Sequence, residues 1–410
     1  MISKNILLID PISSQSAYLE ETIKLGYKPY ALFTKIFNKL PDSLVKDIDF
    51  DKYEEIFFFN SMEETIPKLE KLKLNSVIPC SQLALGVSDF IAKNLNLIGN
   101  PTESFKYRIN KAFMRERLRS KNIENIKYIL TDKIDEILDW VKSTKYPVIL
   151  KPPELTGGSV LVKKCFNNDD VIMAFNDILS MKGVFFQNIE GKVLAEEYLD
   201  GKEYIVNISN NHNERHLIAI AGVDKLQVNG NASIYKNVYS IDLNSELAIN
   251  ISNYAIYVSE AFDITVGIND IEVKITPNGI RLVELNNRLS GAKIPYSIEK
   301  CCGFNSYQEN IRLFSGENLS NNNIKYSRNY NICFLSNKSP GNIRKITGLE
   351  TIKKLNSYDY HEVSTEVGQY FPETKDLFTS WGMVILINED IDQLKSDTET
   401  VHREMELKTG

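Results

Sequence analysis

The chain has 410 residues, 43% of them apolar and 25% charged, enough for a buried core and for two or three domains. A net charge of −6 without a basic stripe excludes nucleic acid as a partner, because nothing would offset phosphate repulsion, and the basic stretch 115–119 reads as a helix face. No apolar run approaches the length that crosses a membrane.

The first hundred residues alternate short apolar strands, at 4–9, 28–33, 55–59 and 76–79, with helical stretches at about 15–25, 63–73 and 83–95. Such alternation predicts a small doubly wound α/β unit. Its first strand ends on Asp10 after a four-residue apolar run, too short for a secretory signal, so a cytoplasmic protein is expected. Ser81 and Gln82 follow the fourth strand, at the carboxyl end where open α/β sheets bind ligands; taken singly, each reads as an ordinary loop residue. Asn100-Pro101 then breaks the chain before a helix over 105–120 that carries Lys111, by composition a surface lysine on an amphipathic helix.

Residues 126–190 read as strand, helix, strand, glycine loop, strand and helix. The run Tyr146-Pro147-Val148-Ile149-Leu150-Lys151 ends a strand on a lysine, and Gly157-Gly158-Ser159 precedes a strand over 160–164. Glycines let backbone N–H groups approach phosphate oxygens, and the lysine adds a point charge that reaches the same oxygens. A larger antiparallel sheet with a helix over 246–262 is expected for 193–325. Within it, 266–275 alternates apolar and polar residues, Pro277-Asn278-Gly279 supplies a turn, and 280–284 resumes the alternation. By parity Glu272 and Lys274 share one face of their strand and Glu284 and Asn286 one face of theirs. Two carboxylates and an amide oxygen on one face suit a hard divalent cation with positions left for phosphate and water; the plain alternative is a solvated acidic hairpin. Beyond an Asn321-Asn322-Asn323 linker, residues 326–410 read as a C-terminal α+β subdomain ending in a charged helix from about Asp390. Five cysteines lack metal-ligand spacing and read as buried thiols. His212 and His216 fall in a polar hairpin turn, and His361 and His402 have no partners in sequence.

Lys111, Lys151, the glycine loop, 196–199, Glu203, Glu272, Glu284, Asn286 and Arg288 occur in the order seen in the ATP-grasp superfamily. The chain resembles an ATP-grasp carboxylate–amine ligase, and more narrowly the L-amino-acid ligases that form dipeptides. The resemblance implies an N-terminal doubly wound α/β domain (1–105) and an ATP-grasp domain (106–325) whose lid subdomain (about 125–195) and larger antiparallel subdomain (196–325) clasp ATP. A C-terminal subdomain (326–410) would close the substrate side. It implies ATP and two Mg²⁺ or Mn²⁺ ions, held by Glu272, Glu284 and Asn286, with Lys111, Lys151, Gly157, Gly158 and Ser159 on the phosphates. Glu196, Glu197, Tyr198 and Leu199 would border the adenine, and Glu203 would take a ribose hydroxyl.

Arg288, by the same resemblance, faces negative charge developing on an acyl phosphate; the plain alternative is an ion pair with Glu299 or Glu309. Ser290 and Gly291 would bind the acid substrate. The implied partners are a small carboxylate and a small amine, amino acids by preference, with a homodimer left open. Asp270 stands where such ligases often carry a histidine, so the amino-acid pocket departs from the family pattern; an acid there could pair with a substrate ammonium. Two other readings stay open: a ligase of primary metabolism that activates bicarbonate or formate, and a nucleotide-binding module without chemistry.

Overall fold

The computed structural model describes residues 4–35, 37–40, 45, 48–124, 126–154, 157–180, 191–212, 214–228 and 233–410. It opens with four parallel strands, β1 (Asn5–Ile9), β2 (Lys28–Phe33), β3 (Ile56–Phe58) and β4 (Ser76–Pro79), in the order β3-β2-β1-β4. Both faces of this sheet are covered, as runs of apolar residues in parallel strands require. Ile6 and Leu8 pack with Tyr18 and Leu19 of helix Ala17–Lys24, while Leu7 and Ile9 pack with Leu69 and Ile91 of helices Met62–Glu70 and Leu85–Asn94. The chain runs outward from β1 through β2 to β3 and returns to the other side of β1, which opens a crevice at the carboxyl ends of β1 and β4.

The helix expected over 105–120 is two helices, Phe105–Ile109 and Lys111–Ser120, separated by an extended Asn110. Asn110 caps the second helix, its Oδ1 accepting the N–H groups of Ala112 (3.0 Å) and Phe113 (3.2 Å), as asparagine does well. The break puts Lys111 at the start of a helix, with its own N–H bonded to the Pro153 carbonyl at 2.7 Å.

A second, antiparallel sheet has the order β5-β8-β6-β7, from β5 (Tyr128–Thr131), β6 (Val148–Lys151), β7 (Lys163–Cys165) and β8 (Val193–Glu197). Helices Ile134–Thr144 and Asn168–Leu179 cover it. The strand expected over 160–164 starts only at Lys163, because Gly157–Ser159 forms a 3₁₀ turn and Gly158 (φ 69°), Ser159 (φ 64°) and Leu161 (φ 55°) take left-handed backbone that no strand accepts. The stretch 181–190, which the expected lid subdomain includes, lies outside the described residues.

The largest sheet has eight antiparallel strands in the order β13-β12-β9-β10-β11-β14-β18-β16. They are β9 (Lys202–Asn211), β10 (Glu214–Gln227), β11 (Ser233–Ser240), β12 (Val266–Thr276), β13 (Gly279–Asn286), β14 (Asn329–Leu335), β16 (Tyr358–Val363) and β18 (Gly382–Asn388). Helix Glu246–Ala261 packs Ile251, Ala255 and Val258 on Val206, Ile271, Leu282 and Leu285 of one face. The opposite face meets helices Ile294–Cys302 and Ser306–Phe314 and, through them, the first sheet. The boundary expected near 325 does not interrupt this sheet, since β14, β16 and β18 all lie beyond it. Only β15 (Gly341–Thr347), β17 (Tyr370–Phe371) and β19 (Glu406–Thr409) form a separate sheet, of order β17-β15-β19. Asp390 caps the last helix, Ile391–Glu404, at 2.8 and 3.2 Å. His212 and His216 flank the turn between β9 and β10; Asn213 of that turn lies outside the described residues.

Candidate active site

The hairpin β12/β13 pairs Glu272 with Glu284 and Asp270 with Asn286, then slips by one residue so that Val273 faces Leu282. Val283 is therefore the extra residue of a β-bulge. Leu282 and Leu285, three apart, both enter the core under helix Glu246–Ala261, while Val283 and Glu284 both reach the cleft, which strict alternation forbids. The backbone groups a bulge leaves unpaired find side chains. The Leu282 N–H donates to Tyr254 Oη (2.9 Å), and Arg115 donates from Nη1 to the Leu282 carbonyl (2.9 Å) and from Nη2 to the Val283 carbonyl (2.7 Å). Sequence parity could not reveal this slip, and Arg115, read as part of a basic helix face, is fully buried.

Arg115 also joins the cationic side of the cleft. Its Nε donates to Glu196 Oε1 at 2.8 Å, and Lys151 Nζ lies 2.7 Å from Glu196 Oε2. Burial alone would raise the Glu196 pKa, but Arg115 and Lys151 outweigh it and hold the carboxyl at about 2. Burial drives the Lys151 pKa down; Glu196 opposes this, and Arg115 and Lys111 add to it. The cluster thus carries more positive charge than its one carboxylate neutralises, the condition for drawing in an anion. Lys111 sits 2.9 Å from Glu284 Oε1, bridging the cationic and acidic sides.

On the acidic side, burial, then Glu284, Glu203 and Asp270, push the Glu272 pKa up to about 8, with Lys225 opposing. Burial raises the Asp270 pKa against its ion pair with Arg288, at 3.0 Å. Glu203 is held down despite burial by Lys225, at 2.6 Å, and Lys274, at 3.9 Å. Carboxylates that raise one another's proton affinity are short of positive charge, which a cation would supply. Among the described residues no group of three or more His, Cys, Asp or Glu could hold a metal alone. The donor set therefore fits a hard cation that takes two carboxylates, the Asn286 amide oxygen and outside oxygens such as phosphate.

These side chains share a cleft with a cavity of about 290 Å³, lined by Lys111, Lys151, Gly158, Ser159, Glu272, Glu284, Asn286, Arg288 and Gly291. Gly158 is constrained by more than its φ, since a Cβ there would meet Leu377 at 2.9 Å and Phe378 at 3.2 Å. Gly157 precedes it in the same 3₁₀ turn. The Ser290 hydroxyl is buried and accepts from Asn207 Nδ2 at 2.8 Å. Residues 196–199 and 203 are not among the lining residues. The Glu196 carboxylate is engaged by Arg115 and Lys151, Glu197 accepts the Lys127 N–H, Tyr198 lies under Lys164 (3.5 Å) and Lys274 (5.3 Å), and Leu199 O accepts from Lys274. Arg288 pairs with Asp270, not with Glu299 or Glu309, whose carboxylates serve Asn305, Arg312 and Ser320. Sequence reasoning missed Arg115, Lys225, Tyr235, Gln15 and Phe378, since only the fold brings residues from such distant segments together.

Residues 144–295 match a model of the ATP-grasp domain. The chain is 27% identical over 346 residues to dapdiamide A synthase of Enterobacter agglomerans, covering 82% of this chain and 80% of that protein. It is 24% identical over 307 residues to the carbamoyl phosphate synthase large chain of Clostridium acetobutylicum, covering 72% of this chain but only 26% of that one. The crystal structure of L-amino acid ligase from Bacillus licheniformis superposes with a TM-score of 0.80 over the whole of both chains at 15% identity, a likeness of fold. No helix among the described residues is long and apolar enough to cross a membrane.

Proposed function

Since the chain is an ATP-grasp ligase that forms carbon–nitrogen bonds, we propose that it joins the carboxylate of an amino acid to an amine through an acyl phosphate, releasing ADP and phosphate. One observation carries this reading: a single cleft holds Lys111 and Lys151 together with Glu272, Glu284 and Asn286, and Arg288 lines it too. A carboxylate is a poor electrophile, so amide formation in water needs the acid activated, and transfer of a phosphoryl group gains its rate chiefly from positioning and charge neutralisation.

Lys111 and Lys151 would take phosphate oxygens, a role to which Lys111 comes by leaving Glu284. Glu272, Glu284 and Asn286 would hold Mg²⁺ or Mn²⁺, two ions in all, and the bound metal neutralises phosphate charge. Gly157, Gly158 and Ser159 would cover the phosphates and keep out water that hydrolyses an acyl phosphate. Arg288 would face the charge that grows on the acyl phosphate, with Ser290 and Gly291 shaping the floor for the acid. Backbone at Glu197, Tyr198 and Leu199 would border the adenine and Glu203 a ribose hydroxyl; Glu196 serves instead as the anchor of Lys151 and Arg115. The odd number of cysteines suits a reducing cytoplasm as the place of the reaction.

The test is release of ADP and phosphate by the purified chain with Mg²⁺, offered amino acids singly, in pairs, and as amines with bicarbonate or formate. ADP release only with an amino-acid carboxylate and an amine together is the expected result. AMP and pyrophosphate would replace the acyl phosphate by an adenylate, and release with bicarbonate alone would move the chain to another substrate class.

A further inference from the structure

Among the described residues two glycines line the cavity, Gly158 and Gly291, and they stand there for different reasons. Gly158 has left-handed backbone, and a Cβ on it would strike Leu377. Gly291 has neither constraint. The left-handed turn of its loop is made by Ala292 (φ 53°) and Lys293 (φ 62°), and a Cβ at Gly291 would meet no atom within 4 Å. Gly191, Gly303 and Gly368 are as open, but none of them lines the cavity. The loop that carries Gly291 joins β13 to helix Ile294–Cys302 and is held on both sides of the glycine. Gln15 Nε2 donates towards the carbonyls of Leu289 (3.4 Å) and Ser290 (3.3 Å), and the Ile294 N–H donates to the Gly291 carbonyl at 3.1 Å. The backbone is thereby kept from swinging in to refill the space that the missing side chain leaves. Arg288, three residues earlier, lines the same cavity.

The segment that Gln15 belongs to brings Ile12 to the cavity, and Leu40 and Leu83 join it from the same N-terminal unit. The described residues of that unit which line the cavity include no Lys, Arg, Asp or Glu. Asp10, fully buried nearby, spends its carboxylate on the Thr34 N–H (2.8 Å) and hydroxyl (2.7 Å). A charged side chain on a ligand would be buried against this wall without a partner. We propose that Gly291 sets the size of the pocket for the side chain of the acid substrate, and that this side chain is bulky and apolar, as in leucine or methionine. The inference rests on the ligase reading and narrows its acid substrate. An apolar pocket discriminates by how well a side chain fills it, and one methylene shifts binding by about 10–200-fold.

Titration calorimetry on the full chain with ADP and Mg²⁺ present reads this without turnover, with L-leucine and L-methionine set against L-alanine and, as the charged control, L-aspartate. Leucine or methionine should bind about tenfold or more tighter than alanine and than aspartate. Gly291→Val puts a side chain into the open space and should shrink the ratio to alanine towards one, with Gly291→Ala in between. Both variants should melt at the parent temperature, because the backbone at 291 is not left-handed and accepts any residue. Equal binding of the bulky amino acids and alanine by the parent, or a ratio that survives in the valine variant, overturns the proposal. So does a lower melting temperature in both variants, which would show that the glycine serves the backbone. A preference for leucine or methionine that Gly291→Val removes, with no ADP release for any pair, would sustain the pocket and sink the ligase reading instead.

Discussion

At Glu284 two demands meet. Its carboxylate stands opposite Glu272 across the hairpin and holds Lys111 at 2.9 Å, so it answers to a cation on either side. Glu284→Gln keeps the volume and removes the charge, and turnover should fall by more than about 10²-fold, since a metal's share of transition-state stabilisation is several kcal/mol. Steady-state kinetics with a thermal melt check it; turnover within about threefold of the parent, ~0.7 kcal/mol, would take Glu284 out of the metal set. Arg288 makes a different demand. Its guanidinium pairs with Asp270 and donates to the Leu289 carbonyl, so its fork is aimed by the protein before any substrate arrives. Arg288→Lys keeps the charge and loses the planar fork. The maximal rate should drop roughly 10²–10³-fold while ATP affinity changes little. A large loss of ATP affinity at an unchanged maximal rate would make Arg288 a phosphate binder.

Among the elements, the bulged strand β13 decides most about the site. Without the extra Val283, Glu284 and Leu285 could not stand where they do, and the bulge persists because one side chain takes up the carbonyls it frees. Arg115→Lys cannot supply three donors in one plane to Glu196, Leu282 and Val283. It should cost about 2 kcal/mol or more of stability, from buried acceptors left unpaired, and should raise the Mg²⁺ concentration needed for half-maximal turnover by displacing Glu284. Denaturant melts and a Mg²⁺ titration at saturating ATP test the pair; parent values in both would show that the bulge needs no clamp. The same strand marks the limit of reading from sequence. The hairpin was legible, because alternation and a Pro-Asn-Gly turn are local, and the first four strands were legible because each is a short apolar run between breakers. The bulge, the break at Asn110 and the late start of β7 were not, because each depends on contacts or backbone angles that residue type does not encode. Glu196 shows the cost most plainly: its partner Arg115 is 81 positions away, and no local pattern ties a helix arginine and a lysine of one strand to a glutamate of another.

For the whole molecule, the cleft exists only because separate units close on it: the loops of the first sheet, the glycine turn against Leu377 and Phe378 of the C-terminal segment, and the hairpin of the large sheet. One joint between the second sheet and the large one runs through a buried carboxylate. Glu196 on β8 binds Lys151 on β6 and Arg115, and Arg115 in turn grips β13. Its pKa, about 2 in the folded chain, lies below the ordinary value of 4.5, so its contribution to stability is complete above pH 4.5 and is lost as the pH falls towards 2. The amount is on the order of 3 kcal/mol, since each tenfold change in proton affinity is worth about 1.4 kcal/mol. Asp10 runs the other way: burial raises its pKa to about 6, so its contribution is complete below pH 3.8 and is lost as the pH rises through 6. Glu196→Gln mimics the protonated acid at every pH and strands two buried cations, so at pH 7 it should be less stable than the parent by about 3–5 kcal/mol. That gap should narrow steadily below pH 4.5 and nearly close by pH 2, where the parent's own Glu196 is about half protonated. Melting curves of parent and variant at half-unit steps from pH 2 to 7 measure it, and a gap that stays constant across that range would mean that Glu196 does not hold the two sheets together by its charge.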